Sequence, residues 1–189
     1  MSIQKVLLDS KMIGPEQIIS DDLRLIAPHV ERDAPLGVGW MSGESGQATQ
    51  NLMGIAPREI HDHNLKEEQE LVQYFTDTDE ELVWMIEYKG KVIGAVGIGL
   101  KIPKEENGPS ISIMIGDAAS RGQGIGKKVM NMAMDYLQRS SYKEVNARYL
   151  LDNTASKVMN LGLGFIKKGE PYVDEDGLVW QNIRKDLRK

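Results

Sequence analysis

A change of hydrophobic period near residue 120 constrains the fold more than any other feature of the sequence. Apolar residues alternate with other side chains through 110–115, as they do in a β-strand. After Gly126 the period becomes helical, which predicts a helix from about Gly126 to Arg139 packed on that strand. The predicted apolar face of this helix consists of Ile125, Val129, Met132, Ala133 and Tyr136.

The turn between this strand and this helix has the composition of an anion-binding site. Free N–H groups in the first turn of a helix point outward, and the helix dipole favours negative charge there. Gly122, Gly124 and Gly126 let the backbone approach an anion closely, because no Cβ intervenes. Arg121 and Lys127 add positive charge beside it. We therefore expect an anionic ligand at the start of the helix.

Two common phosphate-binding loops do not fit this turn. A Walker loop requires Ser or Thr after its Gly-Lys pair, but Lys128 follows Gly126 and Lys127. The residue five positions before Gly126 is Arg121, where that loop has glycine. A dinucleotide fingerprint needs one more residue between its last two glycines.

The turn instead resembles the acyl-CoA loop of the GCN5-related N-acetyltransferases, the GNAT family. The family pattern is Arg/Gln-x-x-Gly-x-Gly/Ala, and the segment 121–126 matches it at every defined position. In that family the loop and the helix start hold the pyrophosphate of CoA. The resemblance therefore implies acetyl-CoA as co-substrate, with no metal. The contacts that it implies are with Arg121, Gly122, Gln123, Gly124, Ile125, Gly126 and Lys127.

A second segment matches the family pattern Asn-x-x-Ala/Ser-x-x-Leu-Tyr-x-x-x-Gly-Phe, with one departure. Asn153, Ser156, Gly164 and Phe165 occupy defined positions, but Asn160 stands where the family has tyrosine. The resemblance implies that Asn153 and Asn160 lie at the cofactor. Many relatives use that tyrosine to protonate the departing thiolate. Ser156 is a candidate substitute, and the alternative is that it only belongs to the first turn of a capped helix.

The fold implied by the resemblance is an α/β (α+β) GNAT fold. It has a single mixed, mostly antiparallel sheet of about six to seven strands, flanked by about four helices. We expect one domain over 1–189, with an N-terminal extension over 1–20. The segment Leu-Arg-Leu in the predicted strand 23–27 fits the subgroup that acetylates protein N-termini, including those of ribosomal proteins. Further strands are predicted at 82–88, 92–100, 144–150 and 178–187.

Residues 29–60 allow two interpretations, because glycine and proline interrupt every period there. In the family this region forms the wall beside the acceptor substrate. The alternative is a surface loop anchored by Trp40. The following His61-Asp62-His63 could suggest metal ligands, but solvated loop histidines are the better interpretation in a chain with three histidines.

The chemistry of a GNAT enzyme predicts further roles. The thioester oxygen needs a hydrogen-bond donor, usually a backbone N–H where the central strand diverges from the next one. Met114 and Ile115 are the candidates for that donor. A base must also remove a proton from the acceptor amine. The side chains considered for that role are Glu170, Asp152, Glu87 and His29.

Composition narrows the functions that remain. The net charge of -5 makes nucleic acid an unexpected partner, and the lack of cysteine excludes thiol catalysis and disulfides. No apolar run is long enough to predict a membrane span, so we expect a cytoplasmic protein. The sequence leaves a homodimer open.

Three functional hypotheses follow. The first is an N-acetyltransferase that acts on a primary amine of a small molecule or a peptide N-terminus. The second is a GNAT-fold module that binds acyl-CoA without turnover, because the tyrosine is missing. The third is an unrelated nucleotide-binding protein, for which only the glycine loop argues.

Overall fold

The computed structural model describes residues 16–104 and 106–188. Within these ranges nine strands form one sheet in the order β1-β2-β3-β4-β5-β6-β9-β7, and β8 pairs with β9. All described pairs except β5 and β6 are antiparallel. The strands are β1 Gln17–Ser20, β2 Leu23–Ile26, β3 Glu81–Tyr88, β4 Lys91–Gly99, β5 Ser110–Ile115, β6 Glu144–Leu150, β7 Ile166–Lys167, β8 Tyr172–Val173 and β9 Val179–Asp186.

Five α-helices flank this sheet within the described residues. They are α1 Val30–Met41, α2 Gly43–Met53, α3 Leu65–Asp77, α4 Ile125–Arg139 and α5 Thr154–Gly162. The predicted class, a mostly antiparallel sheet flanked by helices, is confirmed. The strands outnumber the predicted six to seven because β7 and β8, of two residues each, add short pairings to β9.

One face of the sheet carries the main hydrophobic core, and α4 packs on it as predicted. Val129, Ala133 and Leu137 are completely buried there against Trp84 and Ile98. Burying one such aliphatic side chain contributes about 1.5–3 kcal/mol, so this face supplies much of the folding energy. The buried face of α4 also includes Leu137, which the predicted apolar face omits.

The other face of the sheet is covered by α1, α2 and α3. The interpretation of 29–60 as a surface loop is wrong, because that stretch folds into α1 and α2. Glycine is suited to these helices where two backbone segments approach closely, because a side chain would not fit. A Cβ on Gly46, for example, would lie 2.3 Å from the carbonyl carbon of Met41. Trp40 lies against β5, since a Cβ on Gly116 would lie 2.2 Å from Trp40 Cδ2.

Three local predictions are confirmed by backbone geometry. Lys89 and Gly90 join β3 to β4 with φ values of 52° and 76°, as a tight hairpin turn requires. Asn64 and Glu67 form the predicted capping box at the start of α3. Asn153 caps α5 by accepting a hydrogen bond from the Ser156 N–H.

β5 and β6 diverge almost immediately, and this opening positions the candidate site. β5 pairs with β4 over its whole length, from Ser110 to Ile115. With β6 it forms a single parallel pair, Ser110 with Asn146. Beyond Ser110, no strand of the described chain pairs with this edge of β5.

The remaining predictions about overall organisation concern the N-terminus and the domain. The apolar patch at 6–8 lies outside the described residues, whereas Ile18 and Ile19 belong to β1. Because every described strand joins one sheet, we propose a single domain over 1–189. No helix in the described ranges is long and apolar enough to cross a membrane.

Candidate functional site

The open edge of β5 presents backbone groups that no strand uses. The Pro109 carbonyl accepts a hydrogen bond from the Asn146 N–H at 2.9 Å, so it faces β6. Along a strand, the N–H and C=O groups of successive residues point to alternate edges. Ile113 and Ile115 therefore share the edge of Pro109 and face the opening, whereas the N–H of Met114 faces β4.

The N-terminus of α4 lies at the end of β5 and has free backbone donors. Gly124 is the N-cap, with φ 76°, and no side chain among the described residues caps this end. The N–H groups of Ile125, Gly126 and Lys127 therefore have no partner within the helix. A Cβ on Gly122 or Gly124 would meet nothing within 4 Å, so the loop has room for a ligand. This geometry fits an anion.

The Arg121 side chain ties the loop to the neighbouring elements. Its Nε donates to the Ile115 carbonyl at 2.8 Å, and its guanidinium also donates to Thr49 Oγ1 at 3.0 Å and the Gly116 carbonyl at 3.2 Å. Gln123 similarly donates to the Ala119 carbonyl at 2.8 Å. Both side chains thus fix the shape of the loop, and contact between Arg121 and the phosphates stays a prediction.

α5 closes the other side of the loop at short distance. A Cβ on Gly126 would lie 3.0 Å from Met159 Sδ, so α5 packs closely against the start of α4 there. The ammonium group of Lys127 lies beside the end of α5, because a Cβ on Gly162 would be 3.1 Å from Lys127 Nζ. Lys127 thus contributes positive charge at the junction of the two helices.

α5 and its N-cap bring together the three polar residues of the second motif. The Asn153 amide donates to the Leu52 carbonyl at 3.0 Å, which ties α5 to α2. Asn160 Nδ2 donates to Ser156 Oγ at 3.1 Å and to the Ser156 carbonyl at 2.9 Å. Asn160 is 3% exposed, and its Oδ1 has no hydrogen-bond partner among the described residues.

A cavity of about 1070 Å³ connects this opening with the helices on the opposite face of the sheet. One part is bounded by β5, β6, α4 and α5, and the other by α1, α2, α3 and β3. Asn146 Oδ1 and Tyr149 Oη, both on β6 residues that line the cavity, are buried and unpaired within the described part of the chain. Such groups normally have partners, so the wall has capacity for a polar ligand.

The side chains considered as bases lie away from this cavity. Glu170 is exposed in the loop between β7 and β8, and Asp152 is exposed before α5. Glu87 pairs with Arg24 on β2. His29 is the exposed N-cap of α1. None of these four candidates lines the cavity.

Sequence reasoning missed a buried glutamate that does line the cavity. Glu68 on α3 is 3% exposed and is hydrogen bonded to His63 Nδ1 at 2.6 Å. Burial raises the pKa of the Glu68 carboxyl, and the hydrogen bond to His63 opposes that rise. The sequence feature that could have indicated it is His63, which is followed one helical turn into α3 by the acidic residue Glu68. No group of three or more potential metal-ligating side chains occurs in the ranges that the structure describes.

Comparison with known proteins identifies the family. Residues 23–166 match the family model described as Acetyltransferase (GNAT) domain. Because this match spans most of the chain, the protein belongs to the GNAT acetyltransferase family. It is accordingly an acetyl-CoA-dependent N-acetyltransferase, which confirms the predicted family, enzyme class and co-substrate. No curated protein sequence matches the chain significantly.

Solved structures share the fold at low sequence identity. The Microcin C7 self immunity acetyltransferase MccE, in complex with acetyl-CoA and AMP, is 20% identical, with a TM-score of 0.72 over 94% of this chain and 99% of that one. The ribosomal L7/L12 α-N-protein acetyltransferase RimL, in complex with coenzyme A, is 16% identical, with a TM-score of 0.72 over 91% and 98%. Spermidine N-acetyltransferase from Vibrio cholerae, with CoA and spermine, is 15% identical, with a TM-score of 0.70 over 90% and 98%.

Proposed function

We propose that this protein transfers the acetyl group of acetyl-CoA to a primary amine, either a protein N-terminus or a small-molecule amine. One observation carries the proposal. The open edge of β5 meets the uncapped N-terminus of α4 within a single cavity, and that cavity continues to a second wall formed by α1 and α3. The site thus has room for an anionic carrier on one side and an acceptor on the other.

The chain provides the groups that would hold acetyl-CoA. The N–H groups of Ile125, Gly126 and Lys127 would bind phosphate oxygens, with the Lys127 ammonium nearby. The N–H of Ile113 on the open edge of β5 would donate a hydrogen bond to the pantetheine, which would pair with β5 as an additional strand does. When bound, acetyl-CoA supplies an activated acetyl group on a thiolate leaving group.

The oxygen of the thioester requires a donor that is already oriented. Of the two candidates, we propose Ile115, because its N–H faces the opening, whereas that of Met114 faces β4. Arg121 supports this arrangement, since it holds the Ile115 carbonyl at 2.8 Å. A fixed backbone N–H stabilises charge that develops on the oxygen without reorganisation.

The departing sulfur would meet a serine in place of a tyrosine. Ser156 Oγ accepts a hydrogen bond from Asn160, so its own hydrogen can point into the cavity. We propose that Ser156 donates this hydrogen bond to the thiolate and that water supplies the proton. An amide such as that of Asn160 is too weak an acid for that proton transfer.

The acceptor is proposed at the level of its chemistry. The resemblance to N-terminal acetyltransferases agrees with RimL, which acts on a ribosomal protein, among the structural neighbours. The spermidine enzyme, with spermine bound, supports a small polyamine. Both are primary amines, which must lose a proton before they can attack the thioester.

The test is release of CoA thiol from acetyl-CoA over a panel of amines. The panel contains spermidine, spermine, amino-acid amides and short peptides with free N-termini, with N-acetylated peptides as matched controls. We expect saturable thiol release with at least one free amine and none with the blocked peptides. Binding of acetyl-CoA without amine-dependent release would instead support the module that binds acyl-CoA without turnover.

A further inference from the structure

Glu68 is a carboxylate buried on the wall of the cavity that faces away from α4. Its side chain is 4% exposed, and it projects from α3 between α1 and the cavity. Taking an ionised carboxylate out of water is strongly unfavourable unless other interactions compensate. A carboxylate at such a position therefore needs an explanation beyond packing.

Only one oxygen of this carboxylate is used within the described chain. Oε1 is 2.6 Å from His63 Nδ1, whose ring is partly exposed to solvent. Oε2 lies over the backbone of α1, because a Cβ on Gly37 would be 1.9 Å from it. No described residue hydrogen bonds to Oε2, so it can accept hydrogen bonds from a bound molecule.

The position of Oε2 relates it to the end of β5. Gly37 and Trp40 lie three residues apart on α1, a rise of about 4.5 Å along the helix. Trp40 in turn lies against Gly116, the residue after Ile115. α1 thus connects Glu68 to the strand end at which the thioester oxygen is proposed to bind, and both Glu68 and Ile115 line the same cavity.

We propose that Glu68 binds the ammonium group of the acceptor through Oε2 and takes its proton, while His63 holds Oε1 as a positioning residue. This inference rests on the proposed function and names the base of the same site. It also narrows the acceptor to an aliphatic amine that is cationic in solution. A carboxylate with one open oxygen recognises such a cation through a charge-assisted hydrogen bond.

The proposed step balances as follows in atoms and charges. An N–H bond of the ammonium breaks, and an O–H bond forms at Glu68 Oε2. The nitrogen lone pair then forms the N–C bond with the acetyl carbon, while the C–S bond breaks and the sulfur leaves with its electron pair. The nitrogen loses its second proton to water as the neutral amide forms, which balances the proton that the sulfur takes from water. Ser156 hydrogen bonds to that sulfur, which takes a proton from water. Glu68 returns its proton to solvent after the amide has left.

The surroundings of Glu68 suit this role. Burial raises the pKa of its carboxyl, the strongest influence on it, and a base is most effective when its pKa approaches the working pH. The titratable groups around it are His63, the neighbouring Glu67, and Asp33 and Glu81 on the same cavity wall. Asp33 is already hydrogen bonded to Arg32 and to the His29 N–H.

The main experiment compares Glu68→Gln with Glu70→Gln, which removes an exposed carboxylate from the same helix. With the best amine of the panel, we expect Glu68→Gln to lower kcat/KM by about a hundredfold or more. It should also weaken binding of the amine in calorimetry without acetyl-CoA, and leave the acetyl-CoA Kd unchanged. The limb at low pH in the native profile of kcat/KM should disappear. Glu70→Gln should match the native protein throughout.

A second pair of variants displaces the carboxylate without removing it. Gly37→Ala puts a methyl group where Glu68 Oε2 lies, whereas Gly39→Ala on the same helix meets nothing within 4 Å. We expect Gly37→Ala to lower kcat/KM by about tenfold or more and Gly39→Ala to leave it unchanged.

Different results separate this inference from the proposed function. A native protein that releases thiol, together with a Glu68→Gln variant within about threefold of its kcat/KM, would overturn the role of Glu68 and leave the function intact. A native protein that binds acetyl-CoA but releases no thiol with any amine would overturn both.

Discussion

Asn160 and Ser156 show how one changed residue alters the chemistry available at the site. A tyrosine hydroxyl can both donate a hydrogen bond and give up its proton, whereas an amide N–H can donate a hydrogen bond but does not give up its proton near neutral pH. The hydrogen bond from Asn160 Nδ2 to Ser156 Oγ leaves the serine hydrogen free to turn toward the cavity. We therefore propose that the pair, rather than either side chain alone, stabilises the leaving sulfur.

The variant Ser156→Ala tests this assignment. We expect turnover to fall by about tenfold to a hundredfold, because one hydrogen bond to a charged group is worth about 1.5–3 kcal/mol. The acetyl-CoA Kd should change little, since the bond forms mainly in the transition state. Steady-state kinetics and calorimetry give the two values. The control is Thr154→Ala, which removes an exposed hydroxyl from the same helical turn outside the cavity. If Ser156→Ala turns over at the native rate, Ser156 has only a structural role at the start of α5.

Glu68 also predicts how stability depends on pH. Because the folded pKa of its carboxyl lies above the ordinary value of 4.5, the folded state holds this proton more tightly than the unfolded state. Stability is therefore lost as pH rises from the ordinary value through the folded pKa. We expect Glu68→Gln to have a higher free energy of unfolding than the native protein at neutral pH, with the gap closing below pH 4. Urea titrations at neutral pH and below pH 4 measure the free energy of unfolding of both proteins. A Glu68→Gln variant that is less stable than the native protein at neutral pH would contradict the expectation.

At the scale of the element, the N-terminus of α4 is proposed to bind acetyl-CoA through backbone N–H groups rather than through side chains. Gly124→Glu would bring a side chain and a negative charge into the space beside those donors. We expect the acetyl-CoA Kd to rise at least about tenfold, which corresponds to about 1.4 kcal/mol. Calorimetry with acetyl-CoA measures this loss.

Gly177→Glu is the matched control for that variant. Gly177 has φ 79° and open space around it, as Gly124 does, but lies in the turn before β9 away from the cavity. The control therefore introduces the same charge and the same backbone strain. Equal affinity for acetyl-CoA in both variants, with both folded, would mean that the loop does not hold the pyrophosphate.

The elements that the sequence predicted well are those with local signals. β5, its loop and α4 follow from a change of period, and α3 follows from the Asn64 cap. α1 and α2 were not predicted, because their glycines and Pro35 lower helix propensity and mask the period. Tertiary packing compensates for that low propensity. Gly37, for example, makes room for the Glu68 carboxylate.

The candidate site likewise has one half that local sequence signals predicted and one half that they did not. Its anion-binding half was predictable, because consecutive residues form it and a family pattern covers them. The half beside α1 and α3 depends on contacts between distant segments, such as Trp40 against Gly116, that no local period encodes. The choice of Ile115 over Met114 likewise required the pairing of Asn146 with Pro109, which sets the direction of every N–H on β5.

At the scale of the whole molecule, the opening in the sheet joins the two faces into one reaction space. α4 covers one face, α1 to α3 cover the other, and the cavity has walls from both groups. The gap exists because β6 pairs with β9 over its full length but with β5 at one residue only. The central claim is that acetyl-CoA fills this opening and uses its backbone donors.

Backbone amide exchange followed by NMR, with and without acetyl-CoA, tests that claim most directly. The N–H groups of Ile113, Ile115 and residues 125–127 have no partner among the residues that the structure describes, so their exchange should slow by about tenfold or more on binding. The N–H of Met114 and the helix α3 should show little change. Saturable binding of acetyl-CoA that leaves exchange at Ile113, Ile115 and residues 125–127 unaltered would contradict the account.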